Sequence, residues 1–423
     1  MSQHPKVVSY NSFKGLNNVL DPQSTDPTYL KKVLNIDIDK TGGLSKRKGY
    51  TKKDTASYTS LWNSSIGLGC YGVRNGSLVR LHSDYSYNVL LSNINDDQVS
   101  FEEVDDTIYL TSNSFNGIIT NGTFRSWGIP KNTTSPNLTS STGLLPEGTY
   151  QVSYTYVYSD GRESGTKSAS LITISDNSKI TLNIPTNPDV NIIYARVYCS
   201  TTDGSILFYS GIGILGSSYS INSTSTLVSP LKTFNLDKAP LGSIVKYYKG
   251  RVYIASGNIL WYSEPWQYEY FKLDSNYIEF PEDIVEVMPV EDGLWIGSDR
   301  LYFLSGEEPS TFRRVTKEVI RVVRGTSTLI PGSYTPSDGL SGGYKWIVSS
   351  DLGIFMLHSQ GIATNLSSPN VSLDSADSGS SIFLQTNGIN QYLSILKTNQ
   401  NPNNSVATDL VEGVIIRNGV VIP

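Results

Sequence analysis

The sequence predicts an all-β chain: a β-propeller of six or seven blades, interrupted by an inserted β-sandwich and preceded by a mostly irregular N-terminal arm. Three observations carry this reading. The composition is strand-like, with 27 Tyr against 12 Phe, 6 Trp and 3 Met, only 17% charged residues, and 36 Gly and 19 Pro as punctuation. Paired strands recur at GRVYIAS/NILWYS (250–263), GLWIGS/RLYFLS (293–305) and YKWIVSS/GIFMLH (344–358), their starts 43 and then 51 residues apart. A third stretch, 130–238, has a different rhythm.

Taken in order, residues 1–60 form an arm with one helix expected at Thr28–Asn35, announced by Asp26-Pro27. Residues 61–129 are the first part of the propeller, where GLGCYGV/SLVRL (67–81) and DTIYLTS/GIITN (106–121) repeat the paired-strand theme. The insertion, 130–238, opens on the linker PKNTTSPNLTSSTG and continues as GTYQVSYTYVYSDGRES. There Tyr150, Val152, Tyr154, Tyr156 and Tyr158 share one parity, as a half-buried strand requires. About six strands in some 75 residues suit a fibronectin-III or immunoglobulin-like sandwich. Residues 239–423 resume the propeller and end with a looser copy, SIFLQTNGINQYLSIL (381–396). Blade spacing of roughly 40 to 50 residues is what a propeller requires, because each small sheet buries its faces only against its neighbours. The alternative is a large irregular sandwich.

The net charge of -5 and a pI near 5.4 speak against a globally basic nucleic-acid binder. That total hides a split: residues 1–54 hold ten Lys/Arg against five acids, a net of +5, leaving 23 against 33, or -10, for the rest. Cys70 and Cys199 lie in strand-like runs and read as small buried hydrophobes. There is no signal-peptide pattern and no apolar run long enough to span a membrane, so the expected setting is a reducing cytoplasm. None of His4, His82 and His358 has a metal-ligand partner at helical or hairpin spacing, and no phosphate loop or zinc signature is present. No cofactor and no metal are expected.

Several strings invite a chemical reading. Asp37-x-Asp39-x-Thr41-Gly42 begins like an EF-hand loop, but Lys48 stands where a bidentate Glu is needed, so it reads as a turn. Ser349-Ser350-Asp351-Leu352-Gly353 approximates an Asp-box hairpin, which marks a blade rather than a catalytic face. Glu282, Asp283, Glu286, Glu291 and Asp292 form a candidate acidic rim, carboxylates that glycoside hydrolysis would need in a close pair. Arg313, Arg314, Lys317, Arg321 and Arg324 form a candidate basic contact edge on a strand pair or extended arm. The aromatics of WYSEPWQYEYF (261–271) suit a blade junction better than a sugar-stacking platform.

Phe13-Lys14-Gly15-Leu16-Asn17-Asn18, then Asn35-Ile36-Asp37-Ile38-Asp39, then Gly43-Leu44-Ser45-Lys46-Arg47-Lys48-Gly49-Tyr50 resemble the opening of many tailed-bacteriophage virion proteins. Gly250-Arg251-Val252-Tyr253-Ile254-Ala255, Tyr262-Ser263-Glu264-Pro265 and Asp292-Gly293-Leu294-Trp295-Ile296-Gly297 resemble blade motifs of the same proteins. The pattern is similar to the tail nozzle, or packaged-DNA stabilisation, family of short-tailed phages. The resemblance implies a structural virion protein, not an enzyme, assembled in the bacterial cytoplasm into the virion tail. It implies a homohexameric ring below the portal and adaptor proteins, touching tail fibres or spikes, with double-stranded DNA passing through without sequence recognition. Phe13, Gly15, Asn17, Asn35, Asp37, Arg47 and Gly49 would then be ring-contact or assembly residues. The competing readings are a receptor- or polysaccharide-binding propeller, glycosidase-like or not, and another head-closure or minor tail protein.

Overall fold

The computed structural model describes residues 9–33, 36–39, 41–46, 51–94, 98–187, 189–225, 227–318, 320–331, 343–373, 376–386, 389–398, 410–417 and 420–422. Among them there is no α-helix, and therefore no helix that could cross a membrane. Six sheets are meanders in which each strand pairs antiparallel with its sequence neighbour, the blade unit of a propeller. They occupy residues 58–91, 100–125, 244–271, 286–318, 328–365 and 378–422, and the third carries a fifth strand, Tyr277–Glu279. The all-β, propeller-type class is the predicted one; five of the six paired-strand repeats fall on the second and third strands of a blade, and the looser copy at 381–396 falls on the first and second strands of the last.

The chain divides into two compact units: residues 1–57, 257–259 and 279–423, and residues 58–256 and 260–278. The second unit holds the first three blades and the insertion. Tyr71, Leu78, Phe101, Ile108 and Leu110 fill the junction of blades one and two, while Tyr109, Trp127, Val245, Val252 and Phe271 fill that of blades two and three. Turn chemistry follows local rules: Asn75-Gly76 and Asn121-Gly122 both take positive φ at each position, as two-residue hairpin turns demand.

The insertion is two sheets over one core. Leu138–Leu145, Ser178–Asn183 and Ser218–Ile221 form the three-stranded sheet, with Ser178–Asn183 central. Gly148–Tyr158 and Ile192–Cys199 are the central strands of the four-stranded sheet, flanked by Ser170–Ile174 and Phe208–Gly213. The layering is that of a sandwich, but the connectivity is not the immunoglobulin one. There the first strand pairs with the second and the second with the fifth; here the first pairs with the fourth and the fourth with the seventh. The tyrosine parity predicted from sequence points into this core. The opposite parity, Ser153 and Thr155, is buried as well, because residues 163–168 lie over it: Ser153 Oγ donates to the Ser168 carbonyl at 2.6 Å and Thr155 Oγ1 to the Glu163 carboxylate. Gly165 is required where the chain enters, since a Cβ would sit 1.8 Å from the Leu236 carbonyl oxygen.

The insertion is fastened to its flanking blades. Glu269, on the outer strand of blade three, accepts from Arg125 Nη2 at 2.7 Å and from Arg162 Nη1 at 3.3 Å, and the Tyr270 hydroxyl donates to the Glu163 carbonyl at 2.8 Å. Both arginines are less than a third exposed, so these bonds are shielded more than surface pairs.

The first unit holds the arm and the last three blades. Met288, Trp295, Phe303, Trp346 and Phe355 fill the junction of blades four and five. Leu16, Val33 and Ile38 of the arm share a core with Ile330, Ile347, Ile354, Met356, Val371 and Tyr392. The expected helix at Thr28–Asn35 does not form over the described residues 28–33. Instead Tyr29–Leu30 pairs parallel with Gly15–Leu16, and the Asp26 carboxylate takes the Thr28 N–H and hydroxyl at 2.9 and 2.8 Å. The Asp37–Gly43 string is the predicted turn: Asp39 Oδ1 accepts from the Thr41 and Gly43 N–H groups at 2.7 and 2.9 Å, and Gly42 has φ +84°.

Candidate functional site

In the first unit, loops leading into blades four, five and six converge on a cleft of about 790 Å³. Glu282 and Asp283 come from the loop before Glu286–Val290, Arg321 from the connection after Arg313–Glu318, Asp351 from the hairpin turn of blade five, and Asp377 from just before Ser378–Thr386. Val285, Val322 and Val323 line it as well. With four carboxylates against one guanidinium, the lining carries a formal charge of -3.

Backbone bonds hold the charges in place. Arg321 and Asp351 exchange contacts, the Arg321 N–H to Asp351 Oδ1 at 3.0 Å and the Asp351 N–H to the Arg321 carbonyl at 3.2 Å. Ser298 Oγ donates to the Glu282 carbonyl at 2.7 Å. The Arg321 guanidinium lies 3.6 Å from Glu282 Oε2 with both side chains more than half exposed, a pair worth no more than about 1 kcal/mol. Among the described residues no three His, Cys, Asp or Glu side chains come together closely enough to hold a metal ion. The cleft therefore presents separate acceptors suited to cationic or polyhydroxylated groups.

The structure disperses the predicted acidic rim. Glu286 is buried and accepts from the Gly325 N–H at 2.6 Å and Ser327 Oγ at 2.7 Å, tying blade four to the segment that enters blade five. Asp292 accepts the Gln360 N–H at 3.0 and 2.9 Å, stabilising a residue held at φ +60°. Glu291 is an exposed turn residue. Only Glu282 and Asp283 of the five reach the cleft.

The basic edge is also divided. Arg313, Arg314 and Lys317 are exposed on the outermost strand of blade four, which ends at Glu318. Arg314 lies over the rings of Phe280 and Tyr302 at 5.5 and 5.8 Å and donates to the Glu279 carbonyl. Arg321 belongs to the acidic cleft, and the half-buried Arg324 accepts the Gly379 N–H through its carbonyl. Residues 320–323 are irregular and turn Ile320, Val322 and Val323 inward, so the predicted alternation stops at the strand end.

Of the arm residues, Asn35, Arg47 and Gly49 lie outside the described residues. The rest are engaged within their own unit. Phe13 donates its N–H to the Gly42 carbonyl, and Gly15 sits at φ +121° in the short parallel pair. Asn17, 2% exposed, accepts the Leu20 N–H and donates to Asn370 Oδ1 at 3.2 Å. Its neighbour Asn18 forms a two-bond clamp with Ser372, at 2.8 and 2.9 Å. The half-buried Asp37 pairs along the backbone with Ser45. Sequence reasoning missed Asp377 as a cleft residue and read Asp351 only as a turn. The signal for both was position, immediately beside a strand end of a repeat.

No family model matches the chain, and no curated protein matches it. Solved structures with a similar arrangement include BBS1N in complex with ARL6DN, 10% identical, covering 81% of this chain and 90% of that one at a TM-score of 0.31. The WD40 domain of SCAP from fission yeast is 8% identical, covering 86% and 73% at a TM-score of 0.32. The AfRom2 CNH domain is 6% identical, covering 86% and 94% at a TM-score of 0.26. Likenesses this remote carry no information on function.

Proposed function

We propose that the chain is a non-enzymatic structural protein of a virion tail, a subunit of a nozzle-type ring that forms a conduit for packaged DNA. A propeller-type fold suits a protein-interaction role, and the sequence resemblance supplies the particular partners: further copies of itself, portal and adaptor proteins, and tail fibres or spikes. The observation that carries the reading is the arm. Its motif residues are those of the resemblance, its apolar and amide groups turn inward through Leu16, Asn17 and Val33, and Lys14, Lys32, Lys46, Lys52 and Lys53 are exposed. A basic arm on an acidic body is suited to reach a neighbouring subunit's acidic face, and an acidic conduit wall lets phosphates pass without sticking.

Native mass spectrometry and cryo-EM of the purified protein test this directly. A closed ring, six copies in the simplest case, is expected; a monomer both alone and in the particle would overturn the reading. A glycosidase-like or polysaccharide-binding propeller is the second reading, favoured by the carboxylates of the 790 Å³ cleft. Polysaccharide cleavage by the wild-type chain, abolished by Glu282→Gln or Asp283→Asn, would replace the first reading with it.

A further inference from the structure

The second unit has a cleft of its own, about 400 Å³, at the junction of blades one and two. Arg80, on the third strand of blade one, lines it together with Asp106 and Asn121, over Leu68, Ile108 and Ile119. Arg80 is half-buried, yet its guanidinium has no hydrogen bond or ion pair among the described residues. Asp106 and Asn121 are exposed turn residues whose side chains likewise make no hydrogen bond or ion pair among the described residues. For the half-buried Arg80 this is unusual in a cleft floored by aliphatic side chains, because a guanidinium brings five donors in a rigid fork.

The surrounding backbone keeps the fork in the open. Gly122, at φ +73°, approaches so closely that a Cβ there would sit 2.7 Å from Arg80 Nη1, and Gly69, at φ +125°, would place one 3.1 Å from Arg80 Nε. Gly67, at φ +88°, faces open space. Glycine at these positions leaves room both for the left-handed turns and for the arginine beside them.

We propose that this cleft binds a hydroxylated monocarboxylate, the chemistry of a uronic acid residue in an acidic polysaccharide. Arg80 holds the carboxylate through two parallel N–H bonds. Asp106 accepts from ring hydroxyls, Asn121 both donates and accepts, and the aliphatic floor takes an apolar sugar face. The Asp106 charge disfavours a dianion such as phosphate, because a second negative charge would face a carboxylate with nothing to offset it. The proposal is independent of ring assembly: a monomer would overturn the nozzle reading and leave this cleft unchanged.

Isothermal titration of the full chain with galacturonate, galactose and inorganic phosphate tests it. Galacturonate should bind, with galactose and phosphate each at least about tenfold weaker, the loss of a charge-assisted contact. Arg80→Gln should weaken galacturonate by at least about tenfold, with the melting curve as the folding control. Asn121→Asp keeps a residue that tolerates the left-handed turn and adds a charge beside the carboxylate. It should weaken galacturonate several-fold and leave galactose unchanged, which keeps the test open if the arginine variant misfolds. Equal binding of galactose, tighter binding of phosphate, no binding of galacturonate, or galacturonate binding indifferent to both substitutions would each overturn the proposal.

Discussion

The two clefts use charge in opposite ways. In the first unit the Asp351 carboxylate accepts the Arg321 N–H, and Glu286, which the sequence places beside Glu282 and Asp283, is withdrawn into the blade to hold Gly325 and Ser327. In the second unit the side chains of Arg80, Asp106 and Asn121 hold no backbone group among the described residues. Charge that satisfies backbone groups fixes loops; charge left without a partner in a cleft is available to a ligand. A residue's type therefore says less about its role than which N–H or carbonyl groups lie within its reach.

Substitutions can break that distinction. The largest effect is expected at Glu286, where alanine leaves the Gly325 N–H without its acceptor; roughly 2–3 kcal/mol of stability should be lost in urea unfolding. Asp351→Ala removes one exposed backbone bond and should cost about 1 kcal/mol. If Asp351→Ala proved as costly as Glu286→Ala, the cleft would owe its shape to its rim rather than to the blade behind it.

Acid sharpens the contrast between the units with smaller effects. Burial raises the Glu102 carboxyl above its ordinary 4.5, against the attraction of Lys246 and a bond from the Tyr247 N–H. The stability from binding that proton is complete below 4.5 and is lost as pH rises through the raised value. In the arm, the Thr28 N–H, with Lys14 beside it, holds Asp26 at about 2, so its contribution is complete above 3.8 and is lost as pH falls through about 2. Glu102→Gln should flatten the pH profile of unfolding above 4.5, and Asp26→Asn only its acid end; exchanged effects would show the assignments to be reversed. Smallest of all, Arg80→Ala should leave stability within about 0.5 kcal/mol of wild type, because the guanidinium is not tied to the fold. A loss of 2 kcal/mol would make Arg80 a structural residue.

The hairpins were legible because alternation and turn chemistry are local: all six repeats, Asn121-Gly122 and the Asp39 turn follow from a few neighbouring residues. The helix at Thr28–Asn35 was misread because TYLKKVLN has helical propensity, while its actual partner, Gly15–Leu16, lies outside the sequence window. Sandwich layering was visible in the tyrosine parity. Strand order was not, since which of seven strands pair depends on contacts between distant segments. The acidic rim and basic edge looked continuous as strings and were separated by folding, as Glu286 and Asp292 turned to backbone amides. Arg80 gave no sequence signal; SLVRL is an ordinary strand, and only the glycines at 69 and 122, brought beside it by the blades, give it room.

The Asn17 and Asn18 clamps join residues 353 and 354 positions apart in the chain. During synthesis on a ribosome, the arm emerges well before its seat around residues 370–372 is made. The three early blades and the insertion have all their own core residues in hand long before residue 370 is made, so the middle of the chain can settle while the beginning waits. Throughout that interval Leu16, Val33 and Ile38 lack the residues between 330 and 392 with which they share a core, which leaves these apolar side chains open to a chaperone.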